Sequence, residues 1–229
     1  MRYILLLTLI AALLIASLSV ASTYAKNDPC HTLTTLQTIP AATEQVIVVQ
    51  SLGGFKADIT ACQRQGKTWN QVLAPSWLGS IGKNGLAPIG EKKEADLKTP
   101  VGLYALGEAF GSQPLALKMD YRYITSEDKF IDDPNHKDYN TWVNGKTDAK
   151  SYESMLIKSY KMGVVVNYNM HPIKPGAGSA IFMHLRQAPN MPTAGCVSMD
   201  EPHLLALLKW LDKKKNPYIF ISYAPNYSY

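Results

Sequence analysis

The chain has 229 residues, with 23 Lys+Arg against 18 Asp+Glu, a formal net charge of +5, and 46% hydrophobic and 18% charged residues. That balance excludes disordered, collagen-like and coiled-coil chains, and the length suits one domain able to bury a core without leaning on disulfides. No long basic block stands behind the positive charge, so nucleic acid is not expected as a partner.

Arg2 opens the chain and is followed by an apolar run from Tyr3 to Leu18, small residues over Ser17 to Thr23, and polar Lys26-Asn27-Asp28. A basic start, an apolar middle and small residues at the cut predict a signal peptide over residues 1–25. Ser19-Val20-Ala21 and Thr23-Tyr24-Ala25 both offer a cleavage site. An uncleaved anchor is the alternative, because the run approaches the ~20 residues that span a bilayer; a membrane is a partner only in that case. No Leu-x-x-Cys lipobox precedes Cys30, and no second apolar run is long enough to span. The body is therefore expected in the periplasm or elsewhere outside the cytoplasm.

That compartment permits disulfides. Among three cysteines, Cys30 and Cys62 could pair, tying the start of the mature chain to the sheet; alternatively Cys62 is a small buried side chain. Either way Cys196 is left over, and an unpaired thiol in an oxidising compartment calls for a reason.

After an extension over residues 26–43, a single domain is expected over 44–223, with a tail over 224–229. Val46-Ile47-Val48-Val49 is a β-branched run, Ala57–Arg64 alternates, and Thr68–Leu73 continues the meander across Gln65-Gly66-Lys67. Gly and Pro punctuate Pro75–Gly90, which reads as loop. Thr99–Leu106 reads as a turn entering a strand. Residues 119–150 are polar and aromatic, a long excursion of the kind that carries substrate contacts, and Ser151–Tyr160 reads as a short helix. Val164–Asn169 and Ala180–Leu185 are strands joined by a Pro172–Gly178 loop. Leu204, Leu207, Leu208 and Leu211 recur at helical spacing, so Glu201–Lys214 is predicted as an amphipathic helix capped by Asp200, with Lys213–Lys215 at its negative end. Tyr218–Ser222 closes as a strand. The fold class is mainly β with one good helix.

The chemistry gathers in the run from His184 to Met199. His184 lies near the end of an apolar strand, where alternation points it away from the face of Met183 and Leu185. An eleven-residue loop then reaches Gly195-Cys196, long enough to bring the thiol back to the imidazole. A thiolate is the nucleophilic form, and an adjacent imidazole supplies proton acceptance and a stabilising positive charge. The pair is expected within hydrogen-bond reach, with Cys196 reacting fast at neutral pH. Gly195 removes a side chain beside the sulfur, admitting a carbonyl and backbone N–H groups. Taken alone, a Cys and a His twelve positions apart also suit two ordinary core residues.

Thr193-Ala194-Gly195-Cys196-Val197-Ser198-Met199, with His184 upstream, resembles the active-site signature of the L,D-transpeptidase catalytic domain (the YkuD or ErfK/YbiS/YcfS/YnhG family). Lys98-Thr99-Pro100-Val101-Gly102-Leu103-Tyr104 resembles that family's K-T-P-x-G-x-[FY] stretch. Ile81-Gly82-Lys83-Asn84-Gly85 and Gly178–His184 are similar to one branch of it. The likeness extends from about Glu44 to Ser222. It implies a β-sandwich-like catalytic fold and a cysteine acyltransferase acting on peptidoglycan stem peptides. Cys196 is then the nucleophile, His184 the general base and acid, and Gly195 part of the oxyanion region. A backbone carbonyl of Leu185 or Arg186 fixes the imidazole tautomer. The acyl group passes to a second stem, to a protein amine, or to water as in an L,D-carboxypeptidase. Arg186, Tyr168, Asn169, Thr193 and Ser198 are the substrate-binding candidates. No cofactor or metal is implied.

Two positions depart from the family's S/T-H-G-C-x-R/N pattern. Ala194 stands where a second histidine is usual, and Ser198 stands for the polar or cationic residue. The first change removes an imidazole near the thiol, and the second removes a partner for a substrate carboxylate. Arg186, with Arg122 and Lys98 behind it, is the candidate replacement. A wall-binding module whose motif has decayed is the rival reading. Elsewhere, His171 is the rival base, Asp132-Asp133 before Pro134-Asn135 reads as a turn rather than paired glycosidase carboxylates, and Gly79–Gly85 lacks the ending of a phosphate loop. Trp69, Trp77 and Trp142 read as packing residues, and no metal-ligand spacing occurs.

Overall fold

A computed structural model describes residues 28–224; the expected signal peptide and the last residues of the tail lie outside them. β1 (Gln45–Ser51) follows the β-branched run and is buried throughout. Alternation splits its side chains between two cores, Ile47 and Val49 facing one, Val46 and Val48 the other. β2 (Lys56–Gln65) and β3 (Thr68–Ser80) form the expected meander. β3 nevertheless runs on through Pro75 to Ser80, a stretch read from sequence as loop. The register shifts between Ile59 and Ala61, whose partners are Trp77 and Val72, and Leu73 has φ +54. Pro75 falls in this bulge, where its missing N–H costs no ladder bond.

Next come β4 (Leu86–Ala87), β5 (Thr99–Pro100) and the long β6 (Gly102–Gly111). β7 (Tyr121–Tyr123) pairs with β6. The polar excursion builds a small sheet of β8 (Asp128–Ile131), β9 (Trp142–Asn144) and β10 (Tyr152–Ser154), in the order β10-β8-β9. The short helix expected over Ser151–Tyr160 is replaced by β10 and a single 3₁₀ turn at Lys158–Tyr160. Pairing with β8 satisfies this segment's backbone, which its own weak helical pattern could not.

β11 (Met162–Val166), β12 (Phe182–Leu185), β13 (Val197–Met199) and β14 (Tyr218–Tyr223) complete a nine-stranded sheet of order β11-β12-β13-β3-β2-β1-β14-β6-β7. β6 also pairs with β11, so the sheet curls back on itself as the sandwich-like reading expects. Its interior holds Ile47, Val49, Val164, Val166, Met183 and Leu185, together with Leu204, Leu207, Leu208 and Leu211 of helix α1 (Glu201–Trp210) and the residue after it. The helix is shorter than the predicted 201–214, the lysines forming a separate 3₁₀ turn at Lys213–Lys215.

Cys30 and Cys62 are disulfide-bonded, with Cα atoms 5.5 Å apart. The bond pins the 3₁₀ turn Pro29–Thr34 onto the outer face of β1 and β2, where Leu33 and Trp69 complete a second core. A third core lies between the other outer face and the excursion, built from Phe110, Phe130, Tyr160, Val165 and Phe182. Phe110, Phe130, Tyr160 and Phe182 meet edge to face at centroid distances of 5.0 to 5.9 Å. Cys196 belongs to this third core.

Candidate active site

β12 sets the site's orientation. Met183 and Leu185 enter the sheet interior, while Phe182 and His184 point into the aromatic core, as alternation predicted. β13 runs parallel to β12 with Ser198 beside His184, so Cys196, two residues earlier, lies level with Phe182. A pocket of about 190 Å³ is lined by His184, Cys196, Thr193, Ala194 and Ser198, with Glu153 and Tyr160 on its remaining wall. The thiol and the imidazole therefore share one cavity.

The turn before Cys196 is tightly specified. Gly195 has φ +154, and a Cβ there would lie 3.0 Å from the Lys98 carbonyl oxygen and 3.3 Å from Ile181 Cδ1. The Thr193 hydroxyl donates to the Cys196 carbonyl (2.6 Å) and accepts the Gly195 N–H (3.1 Å). Thr99 of the Lys98-Thr99-Pro100 stretch donates to the same carbonyl (3.3 Å) while accepting the Gly82 N–H (2.8 Å). Two segments far apart in the chain thus hold one peptide. The Gly195 N–H is committed to Thr193, so it is not the amide offered to an oxyanion.

Cys196 is 6% exposed. Its sulfur accepts the Phe182 N–H at 3.4 Å and donates to the Ala180 carbonyl at 3.3 Å. Ala180, in turn, is held in a left-handed conformation (φ +53), its N–H donating to Asn140 Oδ1 (3.1 Å). Burial pushes the thiol well above its ordinary value, and the Glu153 carboxylate pushes the same way. The resting group is a protonated thiol turned to the main chain. The sulfur's hydrogen bonds thus go to the main chain rather than to His184, the contact expected from the sequence, and desolvation disfavours the thiolate.

His184 is 8% exposed. Its Nδ1 lies 2.9 Å from the Leu185 carbonyl, which assigns the proton to Nδ1 and leaves Nε2 as the basic nitrogen. Burial lowers its pKa to about 4, so the ring is neutral at pH 7 and able to accept a proton. Tyr160 packs edge-on against it at 5.2 Å.

The remaining sequence-predicted residues divide. Thr193 and Ser198 line the pocket. Arg186 does not; its guanidinium forks onto Asp200, with Nη2 2.7 Å from Oδ2 and Nε 3.2 Å from Oδ1. That pair also explains why Asp200 stands at the start of α1 without capping it. Arg186 faces an adjoining depression of about 660 Å³, and Gln187 and Ser159, hydrogen-bonded at 2.7 Å, lie on the wall common to both. Tyr168 and Asn169 lie away from the pocket. The Tyr168 hydroxyl donates to Ala177 O (2.7 Å), and the Asn169 amide donates to Lys174 O and Gly178 O (both 2.9 Å), so the two organise the Pro172–Gly178 loop. His171 is exposed just before that loop. Arg122 is paired with Glu108 at 2.8 Å, and Lys98 borders a separate depression of about 420 Å³.

One residue lining the pocket, Glu153, and one outside its lining, Lys92, carry no motif. Glu153 projects from β10 into the pocket, with the Tyr160 hydroxyl donating to its Oε2. Burial holds its pKa up at about 7. Lys92, buried and paired with Asp96 at 2.7 Å, packs against Gly178 and is the cation that lowers the Cys196 thiol's pKa, against the larger upward push of burial. A lone Glu and a lone Lys in polar stretches give no periodic or spacing signal; only the pairing of β10 with β8 and the course of the 91–98 turn bring them here.

A curled β domain with a thiol and a neutral imidazole lining one pocket belongs to the class of cysteine-dependent acyl-transfer folds. The chain belongs to the YkuD family: the model of its L,D-transpeptidase catalytic domain matches residues 59–219. It carries an L,D-transpeptidase-type catalytic domain, and peptidoglycan is the substrate this implies. No curated protein and no solved structure matches the chain.

Proposed function

We propose that the protein is a secreted cysteine L,D-transpeptidase that acts on peptidoglycan tetrapeptide stems through an acyl-enzyme on Cys196, in cell-wall cross-linking or remodelling. The observation that carries this reading is the common pocket of Cys196 and His184, with the imidazole Nδ1 fixed by the Leu185 carbonyl.

The thiol leaves the Ala180 carbonyl and gives its proton to His184 Nε2. The sulfur attacks the carbonyl joining the L-centre of diaminopimelate to the terminal D-alanine. The tetrahedral oxyanion takes an N–H from Ala194 or Cys196, because that of Gly195 is engaged by Thr193. As the C–N bond breaks, His184 returns the proton to the departing amine, leaving a thioester. An acceptor amine then attacks, loses its proton through His184, and the sulfur departs as the thiol. Thr193 and Ser198 line the donor's path, and Arg186 borders the adjoining depression where a stem carboxylate would meet it. Tyr168 and Asn169 act at one remove, through the loop they hold. The Cys30–Cys62 bond supports an oxidising compartment, in keeping with the signal peptide expected over residues 1–25.

Mass spectrometry of tetrapeptide-bearing muropeptides incubated with the protein tests this. A dimer linked through two diaminopimelates is the expected product, and loss of D-alanine alone would make water the acceptor. Cys196→Ala must abolish either product. The buried thiol and the replacements at Ala194 and Ser198 favour one other reading, a wall-binding module without catalysis; unchanged muropeptides would favour it.

A further inference from the structure

The Glu153 carboxyl faces the same cavity as Cys196 and His184, yet among the described residues it forms no ion pair. Its one side-chain partner is the Tyr160 hydroxyl, bonded to Oε2; Oε1 has none among the described residues. The charged groups that act on it are Asp132 and Glu94, both acidic. Asp132 is occupied by Ser151, and Glu94 by Tyr139 and Ser179. Cys196 and His184 face it from across the pocket, one an uncharged thiol and the other a neutral ring. A carboxylate turned into a partly buried cavity with acidic neighbours and no cation is unfavourable in the free protein. In the free protein a proton relieves it, since burial raises the carboxyl to about 7; a cation on a bound ligand would do so with the carboxylate ionised.

We propose that Glu153, oriented by Tyr160, is the receptor for a primary ammonium group on the substrate, so that this pocket selects peptides carrying a side-chain amine. The inference rests on the reading of the site as a peptidoglycan acyltransferase and adds the group that recognises the diamino acid. Tyr160 occupies one carboxylate oxygen and leaves the other for the ammonium, a charge-assisted contact inside a pocket that screens it poorly. The same contact helps the chemistry. In the free protein the Glu153 carboxylate opposes thiolate formation at Cys196, and a bound ammonium cancels that opposition. The ammonium belongs either to the donor stem or to the acceptor amine before it attacks.

Binding separates the two and needs no turnover. In the donor arm, Cys196→Ala protein is titrated calorimetrically with a tetrapeptide stem bearing a free diaminopimelate amine, and with the same peptide acetylated there. In the acceptor arm, the protein is first saturated with the acetylated tetrapeptide and then titrated with free or acetylated tripeptide stem. The expected result is about a tenfold preference for the free amine in one arm. The preference falls to near unity in Cys196→Ala/Glu153→Gln and is partly kept in Cys196→Ala/Glu153→Asp, which retains the charge. Thermal melts establish that each variant is folded. Equal affinity for free and acetylated peptides in both arms, or a preference that survives Glu153→Gln, overturns the assignment. Failure here with muropeptide processing intact removes only the ammonium site; a preference without processing leaves that site standing and removes the acyltransferase.

Discussion

Glu153→Gln makes the electrostatic argument measurable as stability. In the folded protein the carboxyl is held at about 7, against 4.5 for the solvated group, with burial as the main cause and the Asp132 and Glu94 charges adding to it. A group raised on folding contributes stability that is fully present below the unfolded value, 4.5, and lost once the pH has passed the folded value, about 7. At about 1.4 kcal/mol per pKa unit, the ionised carboxylate costs the native state about 3 kcal/mol at pH 8. Glutamine keeps an oxygen for the Tyr160 hydroxyl and carries no charge, so it escapes that cost. The variant is therefore expected to be more stable than the wild type by about 3 kcal/mol at pH 8, and by less than about 1 kcal/mol at pH 5. For a chain of this size that is a melting temperature raised by roughly 6–12 °C at pH 8. Scanning calorimetry of both proteins from pH 5 to 9 reads the difference directly. His184 titrates in the opposite sense: its neutral form is favoured by burial, so stability is lost as pH falls from 6.5 towards about 4. That contribution is common to both proteins and cancels in the comparison. An equal melting temperature at all pH values, or a difference that does not grow between pH 5 and 8, would refute the placement of an unpaired carboxylate in this pocket.

Three further outcomes follow from the geometry. Iodoacetamide should label Cys196 slowly at pH 7 and about tenfold faster at pH 8 in Glu153→Gln, since removing a nearby negative charge favours the thiolate by about that factor; equal rates would show that the carboxylate does not act on the sulfur. Replacing Cys30 and Cys62 with alanine opens a link between positions 32 residues apart, which the loop-entropy relation puts at about 4 kcal/mol. The melting temperature should fall by roughly 8–16 °C, and a drop under about 2 °C would mean that packing of the first turn does that work alone. Thr193→Val deletes the hydroxyl shared by the Gly195 N–H and the Cys196 carbonyl; a loss of about 1–3 kcal/mol in chemical denaturation is expected, together with reduced D-alanine release, whereas unchanged activity would separate this bridge from the chemistry.

The sequence by itself determined much of this protein. The β-branched run at Val46–Val49, the leucine spacing from Leu204 to Leu211 and the alternation through Met183-His184-Leu185 each encode which face of an element meets the core, because burial of apolar side chains selects the period. That same alternation put His184 opposite Met183, and the Gly195-Cys196 signature carried the family. Disulfide formation between Cys30 and Cys62 was open in the sequence, since pairing depends on two Cα positions brought to 5.5 Å by packing. Only the tertiary structure decided what surrounds the sulfur. The hydrogen bonds from Phe182 and to Ala180, the fork of Arg186 on Asp200 and the arrival of Glu153 at the pocket wall all join residues distant in the chain. A local pattern cannot encode such meetings: desolvation and charge at a site are set by whichever elements pack around it, and for Cys196 those are β12, a small sheet in the excursion and a 3₁₀ turn in place of the helix that the sequence suggested.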